Sequence, residues 1–181
     1  MADTSKYGKY FIGPPEPGEV RTGYAGLPHT ILFTDDDIIK GSKCFWALQM
    51  SPDDLPAPHG PHVHEAAEFL VMLGTDPKNP WDLGAEIDLY MGEEQEVHTI
   101  TKSTLVFVPG NMVHCPLVYK RVDRPFIFIN CQFAPKLTEK SLKKLVKEKD
   151  VNQMLFFDFD GKQSDEEIEK QIKTNEDRTG Y

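Results

Sequence analysis

Between about residue 30 and residue 135 the chain is a succession of short apolar or alternating runs broken by turn residues. They are Thr30–Phe33, Cys44–Met50, Glu68–Leu73, Glu86–Met91, Glu96–Ile100, Thr104–Val108, Leu117–Val122 and Phe126–Phe133. Runs this short cannot be helices, and their nearly regular spacing predicts an all-β sandwich or barrel, not βαβ units. In Ala85–Met91 the side chains of Ile87, Leu89 and Met91 share one face, and Glu86, Asp88 and Tyr90 the other. That alternation is the mark of a half-buried antiparallel strand.

The flanks read differently. Residues 1 to about 30 carry Gly13-Pro14-Pro15, Pro17-Gly18, Gly23, Gly26 and Pro28. Such a segment cannot be a regular helix or central strand; it is expected to wrap the domain or a partner subunit, or to fray. After Pro135, Thr138 is placed to cap a helix through Asp150, with Leu142, Leu145 and Val146 at helical spacing and Leu137 as a staple. Met154–Phe159 reads as a further short strand or docking segment. Ser164-Asp-Glu-Glu167 reads as a capping box opening a second helix that carries Ile168 and Ile172, and Thr174–Tyr181 as a mobile end. The resulting division is 1–43, 44–135 and 136–181.

With 20 Lys+Arg against 29 Asp+Glu the chain carries −9, which excludes nucleic acid and anionic membrane surfaces as natural partners. No run reaches the roughly 18–20 apolar residues of a membrane helix, and no apolar stretch follows a basic start, so no signal peptide is expected. Cys44, Cys115 and Cys131 are an odd count and read as reduced thiols of a cytoplasmic protein.

The chemistry concentrates in two segments. In Gly60-Pro61-His62-Val63-His64-Glu65-Ala66-Ala67-Glu68, His62 and His64 lie on one face of an extended strand, roughly 6.6 Å apart. Glu68 falls on the same face as Leu70 and Met72, where a carboxylate needs its charge compensated. In Pro109-Gly110-Asn111-Met112-Val113-His114-Cys115-Pro116, a Pro-Gly turn aims His114 back across the sheet, where it could join the first cluster as a fourth metal ligand. Cys115 points away if the strand is regular. His29, His59 and His98 read as surface or satisfied core residues. Asn130 and Gln132 share a face with Phe126 and Phe128 and either orient a ligand or mark the solvent end of that strand; Trp46 and Gln49 pose the same choice. The loop Thr75–Gly84 is a pocket rim or an insertion.

The pattern H-x-H-x3-E followed by P-x4-H, with strands between, resembles the two motifs of the cupin superfamily over roughly Phe45–Phe133. Asn111 stands where the family usually has Gly after the motif-2 Pro; Asn tolerates the left-handed backbone that turn needs. Ser103 replaces the Gly that usually opens that motif, Val118 a usual Asn, and Gly74 closes motif 1 one residue early. The resemblance implies a small β-barrel of cupin, or jelly-roll, type holding His62, His64, Glu68 and His114 as a three-His, one-Glu metal set. Such donors suit Fe, Mn, Ni, Cu or Zn without separating them. Four ligands leave two open positions on an octahedral ion. The resemblance therefore implies oxygenase (dioxygenase), isomerase or lyase chemistry on a small oxygenated molecule. Its alternatives are a binding or sensing module using the metal as anchor, and a storage-type protein with a vestigial site. It also implies a homodimer, whose interface is expected to use strand residues and the arm bearing Tyr7, Tyr10, Phe11, Ile12 and Tyr24.

Overall fold

The computed structural model describes residues 6–13, 29–51 and 55–180. Among them are eleven strands: β1 Thr30–Thr34, β2 Phe45–Met50, β3 His62–Val63, β4 Glu68–Leu73, β5 Asp82–Met91, β6 Glu96–Lys102, β7 Thr104–Val108, β8 His114–Val122, β9 Ile127–Gln132, β10 Thr138–Ser141 and β11 Asp158–Asp160. Two helices, α1 Glu148–Val151 and α2 Asp165–Thr179, follow β10 and β11. Each alternating run of the sequence became a strand, because alternation lets one face leave water while the other stays wet.

The strands form two antiparallel sheets, ordered β1-β2-β9-β4-β7 and β11-β10-β3-β8-β5-β6. They share one core. Leu70, Met72 and Val108 from the first sheet meet Leu83, Ile87, Leu89, Ile100 and Leu117 from the second, with Phe126 fully buried at the centre. The expected barrel is corrected here: the sheets are not closed into one, and the fold is a mostly β sandwich with a C-terminal helix. The corner between β6 and β7 shows why. The chain crosses from one sheet to the other over the single residue Ser103, whose hydroxyl donates to the Pro80 carbonyl (2.5 Å) and accepts from the Gly74 amide (2.9 Å). Side-chain bonds, not a continuous ladder, turn that corner.

The helix expected from Thr138 to Asp150 is also corrected. Thr138–Ser141 is β10, paired with β3 and β11; a 3-10 turn at Lys143–Leu145 and the short α1 follow. Burial decides this. Leu137 and Glu139 are both buried while Lys140 is exposed, and only a strand puts residues two apart inward together. Leu137 packs in a second cluster with Phe33, Phe45, Phe157, Phe159 and Ile168, not on Leu142.

The second expected helix is present as α2, opened by a capping box. Ser164 Oγ accepts from the Glu167 amide (3.3 Å), and the Ser164 amide donates to Glu167 Oε2 (2.9 Å). It does not stop at Thr174. It runs to Thr179 because Asn175, buried, clamps the Phe156 backbone by accepting from its amide (2.8 Å) and donating to its carbonyl (2.9 Å). Gln171 does the same to Asp158, at 2.8 Å both ways. Of the N-terminal arm, only residues 6–13 are described: a 3-10 turn at Gly8–Tyr10 with Tyr7, Tyr10 and Phe11 exposed. The rest of the arm, Tyr24 included, lies outside the described residues. No helix among the described residues is long and apolar enough to cross a membrane.

Candidate metal centre

Three elements deliver the cluster. β3 is only two residues long, held between β8 and β10, and it pairs His62 directly opposite His114 at the start of β8. His64 follows β3. Glu68 opens β4 in the facing sheet. The cluster thus bridges the two sheets, with histidines from one and the carboxylate from the other. The turn before β8 depends on Asn111, which adopts φ 62° and donates its amide to the His64 carbonyl (2.7 Å), tying the two histidine segments together. Asparagine is among the few residues that accept this backbone without a large penalty.

His62, His64, Glu68 and His114 are all buried. The rings of His62 and His114 lie 4.2 Å apart by centroid, His62 and His64 4.8 Å, and His64 and His114 5.1 Å. Each of the three offers one ligand atom within 4.8 Å of the others, so the trio could hold a metal ion. Atoms bonded to one ion at about 2.1 Å lie no more than about 4.2 Å apart, so the gap to close is small.

Hydrogen bonding sets the tautomers. Nδ1 of His62 faces the Gly60 carbonyl (2.8 Å), that of His64 the Thr138 carbonyl, and that of His114 the Met112 carbonyl (3.1 Å). A carbonyl only accepts, so each Nδ1 must carry the proton and each Nε2 is left with a lone pair. Glu68 Oε1 stands 2.8 Å from His114 Nε2 and 3.4 Å from His64 Nε2, is buried, and has no hydrogen-bond donor. Lone pairs facing one another at 2.8 Å repel unless a proton or a metal ion lies between them. Burial, then repulsion from the neighbouring rings, pushes His62 well below the ordinary histidine range, and burial lowers His64 as well. Burial alone would raise the Glu68 carboxyl, but His114, His64 and Asn130 outweigh it and hold it ionised below its ordinary value. A buried carboxylate among neutral imidazoles is a donor set matched to a divalent ion.

Asn130, left open by the sequence, is settled by its contact: its Nδ2 donates to Glu68 Oε2 at 2.7 Å. Glu68 can only accept, so this fixes the amide's orientation and leaves Oε1 as the free donor atom of the carboxylate. Gln132 is spent elsewhere, accepting from the Thr138 amide (2.9 Å) and donating to the Thr138 carbonyl (3.3 Å). Such outer partners tune metal sites strongly. Asn130→Ala is expected to weaken metal affinity about 10- to 100-fold with secondary structure retained; unchanged affinity in a metal titration would refute this.

The sequence missed one neighbour. His59 Nε2 contacts Glu139 Oε1 at 2.7 Å, and its ring stacks on His62 at 4.3 Å. Burial pulls the His59 pKa down, but Glu139 overcomes this and raises it. His59, His62 and Glu139 form a second group close enough to hold an ion; as found, the pair is satisfied as an ion pair. The alternation Leu137-x-Glu139 was its only sequence signal. Cys115, at φ 66°, does not alternate outward but sits in the core, where burial pushes its thiol well above the ordinary value. A protonated thiol is a poor ligand. His98 is exposed beside Glu96 (3.2 Å), His29 is exposed, and Trp81 in the Thr75–Gly84 loop projects into solvent.

Metal-free protein is expected to lose stability between pH 7.5 and 5.5. His62 and His64 take up protons less readily folded than unfolded, so below about pH 6.5 the unfolded chain holds more protons and acid favours it. His59 acts in the opposite sense, its pairing lost as pH rises through its raised folded value, but it is one group against two. Urea midpoints of EDTA-treated protein would show this; a midpoint that holds or rises at pH 5.5 contradicts it.

No family model matches the chain, and no curated protein does. Among solved structures it is similar to an uncharacterized conserved protein with a double-stranded β-helix domain from Klebsiella pneumoniae subsp. pneumoniae MGH 78578, at 13% identity and TM-score 0.42, over 78% of this chain and 92% of that one. A variant of Bacillus subtilis oxalate decarboxylase matches at 17% identity and TM-score 0.44 over 76% of this chain; the chain spans 33% of that enzyme's length. Protein NMB1881 from Neisseria meningitidis matches at 13% identity and TM-score 0.34, over 53% and 80% of the two chains. The solved structures to which the chain is similar thus include double-stranded β-helix, or cupin, proteins.

Proposed function

We propose that the chain is a metal-dependent enzyme of the cupin type, with His62, His64, His114 and Glu68 as the ligands of one divalent transition metal. The observation that carries this is the 2.8 Å approach of Glu68 Oε1 to His114 Nε2 inside a buried site. Held there, Fe, Mn, Ni, Cu or Zn supplies Lewis acidity or redox chemistry to a substrate oxygen. The chain's residues do the rest. Backbone carbonyls hold the three imidazoles in the Nε2-free tautomer, Asn130 anchors the carboxylate, and the surrounding core excludes bulk water. In this reading the substrate is a small oxygenated molecule handled by oxygenase, isomerase or lyase chemistry, and the protein is a cytoplasmic homodimer with no nucleic-acid or membrane partner.

The second reading is a binding or sensing module that uses the metal as anchor. It is favoured by the pairing of His59 with Glu139, which occupies the titratable side chain nearest the cluster with a structural partner. Protein loaded in turn with each of the five metals and offered 2-oxo acids, hydroxy acids and β-diketones, with and without O2, separates the two. Turnover abolished in His62→Ala supports the enzyme. Metal-dependent binding without turnover supports the module, and failure to bind any of the five metals contradicts both.

A further inference from the structure

The outer face of the five-stranded sheet is apolar from edge to edge. Through the strand register, Leu32, Leu48, Ile129, Val71 and Leu105 form one row across all five strands. Trp46, Cys131, Phe69 and Phe107 form the next. Neither row contains a charged residue, in a chain where 27% of residues are charged and the net charge is −9. The side chains are not tucked away. Leu105 is 57% exposed, Phe107 51%, Phe133 45% and Leu73 39%, and Phe69 stacks between Phe107 (5.5 Å) and Phe133 (5.2 Å) to make one aromatic ridge.

Half-exposed Leu and Phe side chains each leave on the order of 80–100 Å² open, so these four give about 350 Å², and their half-buried neighbours add a similar amount. Monomers seldom expose a contiguous apolar patch above ~300–600 Å², whereas a standard interface takes ~800 Å² from each partner. We infer that this face is where two copies of the chain meet, the outer surface of β2, β9, β4 and β7 in one copy packing against the same surface in the other. A basic partner would be drawn to the acidic remainder of the surface and would find no carboxylate here. A second copy instead brings an equally neutral face, and contact through it keeps the two sets of −9 charges apart. The contact is isologous: each row faces its own copy across a two-fold axis. This inference rests on the homodimer reading and adds its surface. It places the interface on the sheet, independent of the N-terminal arm.

Sedimentation velocity on the full, metal-loaded chain, with Leu105→Arg and Phe107→Arg as separate variants, tests it. Both side chains are half in water, so a charge there leaves the fold intact, as circular dichroism will check. The full chain should sediment at about twice 20.6 kDa, each variant should dissociate at least 100-fold more readily, and Val97→Arg, exposed on the other sheet, should match wild type. A monomer at 100 μM overturns the homodimer itself. Folded variants that dimerise like wild type overturn this face alone and leave the homodimer standing. If the variants do not fold, alkylation of Cys131 in a Cys44→Ser background reads the same contact. Its rate should rise on dilution, and a rate independent of concentration across the dissociation range overturns the inference.

Discussion

Alanine at His62, His64 or His114 is expected to lower metal affinity by more than 100-fold while the sandwich stays folded. Loss of an outer partner alone costs about 10- to 100-fold, and these residues are proposed to bond the ion directly. The fold should survive because the main core is built by Leu70, Met72, Leu83, Ile87, Leu89 and Phe126, none of which depends on the imidazoles. Removing one ring also lessens the crowding that depresses His62, so the metal-free variants should be no less stable than metal-free wild type at pH 5.5. Equilibrium dialysis with elemental analysis, alongside far-UV circular dichroism, measures both. Full metal occupancy in His62→Ala at wild-type affinity would remove it from the ligand set; loss of the β spectrum would make it a structural residue.

The largest loss of stability is expected at the opposite kind of position. Phe126, with no exposed surface, enters β9 at the centre of the core and lies 6.1 Å from the Tyr119 ring. Its amide donates to Ser51 Oγ (2.9 Å) and its carbonyl accepts from the Ser51 amide (2.8 Å), so the backbone cannot shift to fill a void. Phe126→Ala should therefore cost about 3–5 kcal/mol, the burial lost plus the cavity left. Chemical denaturation would measure it. A cost near 1 kcal/mol would mean that the two sheets close over the gap, and the core is less tightly fixed than its burial indicates.

The strands were legible because alternation and turn residues are local properties, and a sheet with one wet face writes them directly into the chain. The meeting of His62, His64 and His114 was legible for a related reason. Two histidines two apart must share a face of an extended segment, and the Pro109-Gly110-Asn111 turn leaves His114 little choice of direction. Closure of the sheets was not legible. Whether a corner such as Ser103 carries a ladder or breaks it depends on Gly74 and Pro80, which are distant in sequence. β10 was misread because Leu142, Leu145 and Val146 imitate a helical stripe, while the decisive residue, Glu139, is a charge where an apolar residue would have signalled a strand. Its burial makes sense only beside His59, eighty positions away. The extent of α2 was hidden in the same way: Gln171 and Asn175 look like solvent-facing polar residues until the backbones of Phe156 and Asp158 are placed against them.

The central claim is that one ion sits between three Nε2 atoms and Glu68 Oε1. Anomalous scattering from crystals of the full chain loaded with a single metal, recorded at that metal's absorption edge, tests it most directly. The account predicts one peak per chain, about 2.0–2.2 Å from an imidazole nitrogen of each of His62, His64 and His114 and within bonding distance of Glu68. A crystal at full loading with no peak there, or with its only peak between His59 and Glu139, would contradict it.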